Sequence, residues 1–530
     1  MESFCSGEKG WNNSRAGHTQ FIQIVYNDFH RYGSERNRRK VYRITMKKII
    51  TTLIAAAILM AALPLSLTSC SDASRLLRMK EPRRAAEFYR LINENTNRAT
   101  SNSLEQTTSL SMDLNGQRYE QVSEGVITYI EAENDFTYLK QVKTTIRSGQ
   151  METVLYEDSG YTQGTMFLYN REDSLESGLK SAITAKEYDD FMAELNSEDL
   201  DIQVGEGYCE TMTCVQNEDQ SWTATYEGFT EAGMKPFEQM LSGVEYAVTD
   251  RHTLVDVRMT CTADKNFYPS EIQIEYLFEA KPDADADTQA PAVTVHTRYK
   301  GWNNTVLSTP YDLSDFTEVE DLRTVERFLD ALNRRGKAES GAFSVLTSAN
   351  SRYGDKGENT EFTQNVTYHN QDGVDFTLDY TQFGYKVHSS YENGTLTTTI
   401  QDEQTGAQLQ NNSVPIRNYE AQAMLQQLMN SESVSGLDIV DAKITDAEKG
   451  ICRFTLGDAV RNDQNEEYMN AYGTAIDQFT GYIDATVVDG KLMSYVYYVN
   501  NTLTVNGVTL TITITTTVTF TELVEDGGAL

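Results

Sequence analysis

From Val508 to Thr521 the chain alternates apolar and threonine side chains, VTLTITITTTVTFT, and few folds accept such a run. Val508, Leu510, Ile512, Ile514, Val518 and Phe520 take the even positions. Threonine takes every odd one, and Thr516 alone interrupts the apolar series. Successive strand residues point to opposite faces, so period two over this length predicts a long antiparallel strand, dry on one face and wet on the other. Asn506-Gly507 just before it is a two-residue hairpin signal, and Asp489-Gly490 is another. The same alternation recurs earlier, in Ile272, Ile274, Tyr276 and Phe278 and again in Val293, Val295 and Thr297, around a longer loop, PDADADTQAP.

That recurrence extends to a duplication. Glu87–Asn93 matches Arg327–Asn333 as a helix, with Phe88, Leu91, Ile92 and Phe328, Ala331, Leu332 each at i, i+3, i+4. Tyr156–Gly160 matches Tyr391–Gly394 as a turn between strands. Tyr188–Ile202 parallels Tyr419–Ile439 as a second helix closing on Leu-Asp-Ile, and Leu254–Val257 parallels Tyr482–Ala485. The matches keep their order, and each copy has an ordinary domain length. The expected organisation is an upstream extension or misassigned start over 1–45, a leader over 46–69 and a linker over 70–82. Domains over 83–316 and 317–524 and a tail over 525–530 follow, with the domain boundary in the polar stretch Pro310–Leu322. Each unit reads as helix, several strands, helix and a strand meander. We expect an α+β fold in which a strongly curved antiparallel sheet, an incomplete β-barrel, is covered by helices on its apolar face.

The leader is the run Met46–Cys70. Lys47 and Lys48 precede an uncharged apolar stretch, and Leu67-Thr68-Ser69-Cys70 closes it. A basic head, an apolar middle and a small-residue exit make a secretory signal. The alternative is an uncleaved transmembrane anchor, opposed by Pro64, Ser66 and the polar sequence from Ser71 onward. Because such signals are read near an N-terminus, Met46 is the expected initiator; a basic cytoplasmic extension would suit the uncleaved anchor. Both readings export the chain to the outer face of a bacterial membrane.

With 45 basic and 78 acidic residues the net charge is −33, and the body after the leader is more acidic still. Phosphate backbones and anionic headgroups repel such a surface, which excludes nucleic acid as a partner and leaves membrane contact to a lipid. One acyl chain holds a protein marginally, so stable attachment needs more than one. Beyond Cys70 there are four cysteines, Cys209, Cys214, Cys261 and Cys452. These are too few for a disulfide framework, although export permits Cys209 or Cys214 to pair with Cys261 across neighbouring strands. No Cys-x-x-Cys or histidine cluster completes a zinc site, and no metal or other cofactor is expected.

The lipobox Leu67–Cys70, the element order and the phrases Tyr156–Gly160 and Tyr391–Gly394 together resemble the LolA/LolB-like group of bacterial envelope lipoproteins, which includes LppX-type carriers. The resemblance implies that Cys70 carries the lipid, palmitate among its acyl groups. It also implies a fold of about eleven strands closed by helices around an apolar cavity for acyl chains. In this chain the unit would occur twice.

Chemical signatures are scarce. His252 stands near Asp250 and Asp256, but spacing supplies it no nucleophile. Ser177-Gly178-Leu179-Lys180 fits Ser-x-x-Lys without the companion motifs of that chemistry. Asp283, Asp285 and Asp287 open like a calcium loop, yet Thr288 and Thr294 stand where Gly and Glu are needed. The expectation is therefore a non-enzymatic, membrane-anchored lipoprotein that buries a lipid or other apolar ligand against Val508, Leu510, Ile512, Ile514, Val518 and Phe520. The alternative is a surface protein-interaction or structural module of the envelope without a cavity, displaying some of the 30 tyrosines.

Overall fold

A computed structural model describes residues 72–524, apart from 115–116, 134, 196–201, 206, 242–251, 281–290, 306–311, 336–339, 370–373, 430–433 and 489–490. The leader, Cys70 and its lipobox lie outside the described residues, as do Asp250 and the Asp283–Asp287 loop.

Strand makes up 61% of the structure and helix 20%. Two short helices, α1 (Asp72–Arg78) and α2 (Arg83–Thr96), lead into six strands β1–β6 (Ser101–Leu114, Gln117–Ala132, Asp135–Ser148, Met151–Thr162, Thr165–Glu172, Leu175–Ala182). Helix α3 (Ala185–Leu195), strands β7 (Cys209–Gln216) and β8 (Trp222–Phe229), and helix α4 (Glu231–Leu241) come next. Strands β9–β11 (His252–Ala263, Pro269–Ala280, Ala292–Lys300) complete the first sheet. A two-residue strand β12 (Thr317–Glu318) and helix α5 (Arg323–Arg335) precede a second set of six strands, β13–β18 (Ser340–Tyr353, Lys356–His369, Asp375–Gln382, Tyr385–Glu392, Thr395–Asp402, Gln408–Pro415). Helix α6 (Asn418–Met429), strands β19 (Ile439–Asp446) and β20 (Ile451–Leu456), helix α7 (Asp458–Tyr472) and strands β21–β23 (Gln478–Val488, Lys491–Val505, Val508–Val524) finish the chain.

The two sheets repeat one topology. The first runs β12-β6-β5-β4-β3-β2-β1-β11-β10-β9-β8-β7 and the second β18-β17-β16-β15-β14-β13-β23-β22-β21-β20-β19. Remove β12 and the two orders are the same eleven strands. Both sheets are open, so each keeps two edges and neither closes into a barrel.

These facts overturn the expected α+β arrangement. The protein is mainly β, and helices do not form a layer over each sheet. The physical reason is size: eleven strands about 4.8 Å apart span roughly 50 Å, whereas a 15-residue helix reaches about 22 Å. Each helix therefore meets a few strands: α2 rests on β7 and β8, α4 on β8 and β9, α5 on β21 and β22, and α6 on β13.

The alternating run forms β23, the longest strand. Asn506 and Gly507 turn from β22 into it with φ of 52° and 79°, the paired left-handed conformation of a type I′ hairpin. Residues 489–490 lie outside the described set, although Val488 pairs with Lys491 on either side of them. The expected turn at Tyr156–Gly160 is instead the interior of β4. Asp158 there is buried and accepts the Val142 backbone N–H at 3.1 Å, so its carboxylate serves a strand rather than a turn. The counterpart of Asn393-Gly394 is Gln163-Gly164, which joins β4 to β5 with φ of 48° and 77°.

Between the sheets the chain hooks around an edge. The single turn Leu313–Asp315 is capped by Asp312, whose carboxylate accepts the Ser314 N–H at 3.0 Å. Phe316 then packs with Leu139 and Phe167. Strand β12 pairs in parallel with β6, and Leu322 N–H donates to Ser181 Oγ at 3.0 Å before α5 begins. Ser177 Oγ donates to the Ile439 carbonyl at 2.7 Å, fastening β6 to the start of β19. Both sheets belong to one compact unit.

Candidate ligand-binding faces

Strand register identifies the face of each sheet on which the helices rest. In the first sheet Phe88 of α2 lies 6.5 Å from Trp222 and 6.3 Å from Phe267, and Tyr226 OH donates to the Ala85 carbonyl at 2.9 Å. Following the pairs outward from Ala224 gives Cys261, Ile272, Thr297, Gln106, Gly125, Val142 and Glu157, all on this inner face. On β3 and β4, Tyr188 of α3 stacks on Tyr161 at 5.0 Å and meets Tyr138 at 6.3 Å. Burial of apolar area at about 25 cal/mol per Å² makes such aromatic clusters the main stabilising contacts of the face.

The inner face of the second sheet is built alike at one end. Phe328 of α5 stacks on Phe454 at 4.8 Å and meets the ring of Tyr495, whose hydroxyl donates to the Met429 carbonyl at 2.8 Å. Val518 and Phe520 are buried in that cluster, and Leu510 is buried near the hairpin end. Ile512 and Ile514, between them, remain half-buried, as does Val508. Phe362, Tyr380, Val387 and Ile400 continue the same face across β14–β17, and they too are half-buried. The predicted lining residues thus share one face, but it is dry only in part. Thr516 is 2% exposed on it, beside Tyr497 and Thr347.

On the opposite face of β14–β17 lies an open polar groove of about 520 Å³. Asn365, Asp379, His388 and Thr399 form one row across it, and Asp379 Oδ1 contacts His388 Nδ1 at 2.7 Å. Sequence reasoning missed this surface, because its residues alternate with the apolar face and read as solvated.

A charge cluster, its Arg327–Glu194 pair open to solvent, joins the halves. Arg327 of α5 makes a bidentate pair with Glu194 of α3, at 3.0 and 2.7 Å, with its guanidinium over Phe191. Next to it, burial pushes the Glu326 carboxyl up to about 7, Asp330 and Glu157 pushing the same way and Lys140 opposing. Burial also lowers Lys140, against the pull of Glu157 and Glu326.

The other candidates have structural partners. Asp256 accepts the Gly228, Phe229 and Val257 N–H groups, and so clamps backbone rather than orienting His252, which is buried on β9. Ser177 and Lys180 project from opposite faces of β6, Lys180 donating to the Leu313 carbonyl at 2.7 Å, so they form no dyad. Thr294 is a strand residue of β11. Cys209, Cys214, Cys261 and Cys452 are all free. The pairing of Cys209 or Cys214 with Cys261 that export would permit is not formed, because β8 stands between β7 and β9, Cys214 pairing with Ala224 and Ala224 with Cys261. Two strand spacings of about 4.8 Å exceed disulfide reach. Among the described residues no group of three or more His, Cys, Asp or Glu could hold a metal ion.

No protein-family model matches the chain, and no curated protein matches it. Among solved structures, a DUF1329 family protein from Desulfovibrio piger is 9% identical, over 39% of this chain and 95% of that one, with a TM-score of 0.14. A mutant of transferrin-binding protein B from Haemophilus parasuis is 4% identical over 80% of this chain and 76% of its own, also at 0.14. OccK3 of Pseudomonas aeruginosa is 6% identical over 79% and 95%, at 0.11. Overlaps this small establish neither a shared fold nor a shared role.

Proposed function

We propose that the chain is an exported lipoprotein, anchored through Cys70, that holds an apolar ligand against the inner faces of its sheets without a covalent step. The observation that carries this reading is the half-open apolar strip of the second sheet. Ile512, Ile514, Phe362, Tyr380, Val387 and Ile400 extend the buried cluster around Val518 and Phe520 as half-buried apolar surface, bordered by Tyr497 and Asn501, which α7 holds through Gln464. Apolar surface continuous with a core is suited to acyl chains, and the leader Met46–Cys70 places the chain where lipids are trafficked. The LolA-like resemblance supports the same class of ligand.

The test has two arms. Metabolic labelling with palmitate should mark the wild type and leave Cys70→Ser unlabelled. Solvent extraction of the purified protein followed by mass spectrometry should recover stoichiometric lipid, and recovery should fall in Ile512→Asp and Ile514→Asp. Protein that folds, carries no lipid and takes none up from micelles would refute the ligand-binding reading. A second reading, a surface interaction module, is favoured by the polar groove over Asn365, Asp379 and His388, whose open form suits a polar macromolecular partner.

A further inference from the structure

The inner face of the first sheet carries a belt of hydrogen-bonding side chains, at four positions of which the second sheet is apolar. Strands β1 and β13 are both 14 residues long, and each leads through a two-residue turn into its neighbour, Leu114 pairing with Gln117 and Tyr353 with Lys356. Counted from those turns, Gln106 corresponds to Val345 and Ser123 to Phe362. The cross-strand partners follow: Thr297, opposite Gln106, corresponds to Val518, opposite Val345. Tyr299, opposite Leu104, corresponds to Phe520, opposite Phe343. Four polar residues thus stand where the sister sheet packs Val, Phe, Val and Phe.

The shared topology shows that this frame accepts apolar residues at those four positions, so the fold does not require them to be polar; Thr108, by the same count, corresponds to Thr347 and is polar in both sheets. The belt is also costly. Gln106, Ser123, Thr297 and Tyr299 are each less than a tenth exposed. Gln106 Oε1, Thr108 Oγ1 and the Tyr299 hydroxyl find no hydrogen-bond partner among the described residues. A buried polar atom left unpaired costs about 1–3 kcal/mol. Gly125, opposite Gln106, adds no side chain to fill the space beside it.

The belt specifies what would pair with it. Gln106 Oε1 accepts only, whereas the Thr108 and Tyr299 hydroxyls can donate or accept. Register neighbours of Gln106 and Thr108 are Thr297, Gly125, Val295 and Ser123, none of them charged. Lys140 and Glu157 stand two and three strands away. Apolar residues flank the belt, Leu104 and Ile127 on one side and Leu110 and Val293 on the other, with the buried Gln121 opposite Leu110. We infer that the first sheet binds an uncharged amphipathic lipid, seating the ligand's polar, hydroxyl- or amide-bearing end against the row Thr108, Gln106 and Tyr299. This inference rests on the ligand-binding reading above and names its ligand class; it also assigns the two sheets different duties.

The experiment compares 1,2-dioleoylglycerol with its 3-acetyl ester, which keeps the chains and loses the hydroxyl donor, each titrated from detergent micelles into delipidated mature protein. The wild type should bind the free alcohol about tenfold more tightly than the ester, equivalent to ~1.4 kcal/mol. Installing the residues of the second sheet, Gln106→Val with Thr297→Val and Tyr299→Phe, should erase that preference while ester binding is unchanged. The single Tyr299→Phe variant, which removes one oxygen, should reduce the preference in part and serves if the triple variant fails to fold. Equal affinities in the wild type, or a preference that survives the triple variant, would overturn the assignment while ester binding leaves the ligand-binding reading intact. Failure of both lipids to bind would overturn the two together.

Discussion

Glu326 should make the stability of this protein fall as pH rises through neutrality. Its carboxyl lies at the junction of α5 with the first sheet, where burial raises it from 4.5 to about 7. The folded state therefore holds a proton that the unfolded chain releases near its ordinary value. Below pH 4.5 both states are protonated and the site costs nothing. Between pH 4.5 and 7 the unfolded chain ionises while the folded one must keep the proton or bury a charge, so stability drops. Above about pH 7 the full penalty is present. At ~1.4 kcal/mol per pH unit the ceiling is about 3 kcal/mol. Glu326→Gln keeps the shape and removes the titration. Urea unfolding of the mature wild type and variant at pH 5, 6, 7 and 8 reads the difference, which should open by up to about 3 kcal/mol in favour of the variant as pH rises. In Lys140→Met, loss of the cation that opposes the upward shift should steepen the decline. Parallel pH profiles for wild type and Glu326→Gln would refute the reasoning, because they would mean that the carboxyl is solvated and not held at the junction.

Three further outcomes are expected. Gly160→Ala should lower the Tm measurably, by the equivalent of about 1–3 kcal/mol, since a Cβ there would meet the Tyr138 carbonyl at 2.5 Å and the Phe167 ring at 2.8 Å; differential scanning calorimetry reads it. Gly436→Ala should loosen the contact between the sheets, because its Cβ would stand 2.6 Å from Asn170 Nδ2, and Asn170→Gly should restore the loss in the double variant. Alkylation of Cys214 and Cys261 by iodoacetamide at pH 8 should wait for unfolding, since burial pushes both thiols up to about 12; rapid labelling of the native protein would contradict it.

What could be read from the chain followed the strength of each local signal. The threonine alternation and Asn506-Gly507 carried β23 and its hairpin because strand, register and turn all agree there. Helix α7 was invisible: DAVRNDQNEEYMNAY buries only Ala459, and it is held instead by polar contacts such as Asn501 Nδ2 donating to Gln464 Oε1. Pro236 inside α4 hid that helix in the same way. Asp-Ser-Gly at 158–160 has turn composition, but tertiary pairing with β3 and β5 outweighed it. The cysteine pairing required the knowledge that β8 intervenes, which is a matter of long-range order. The polar belt was hidden because β1, SNSLEQTTSLSMDL, carries polar residues on both faces, and only register shows which of them are dry.

Duplication explains how such a belt could be tolerated. A single sheet that buried unpaired Gln106, Thr108 and Tyr299 would bear the whole cost within one core. Here the second sheet supplies a mainly apolar cluster around Val345, Val518, Phe520 and Tyr495, the Tyr495 hydroxyl being satisfied by the Met429 carbonyl, and Ser177, β12 and α5 fasten the halves together. Stability gained in one sheet then supports strain in the other, provided the junction transmits it. That places the junction, not either sheet alone, in control of how firmly the polar face is held. Changes at Glu326 or Gly436 that leave the belt untouched should therefore still alter ligand retention by the first sheet.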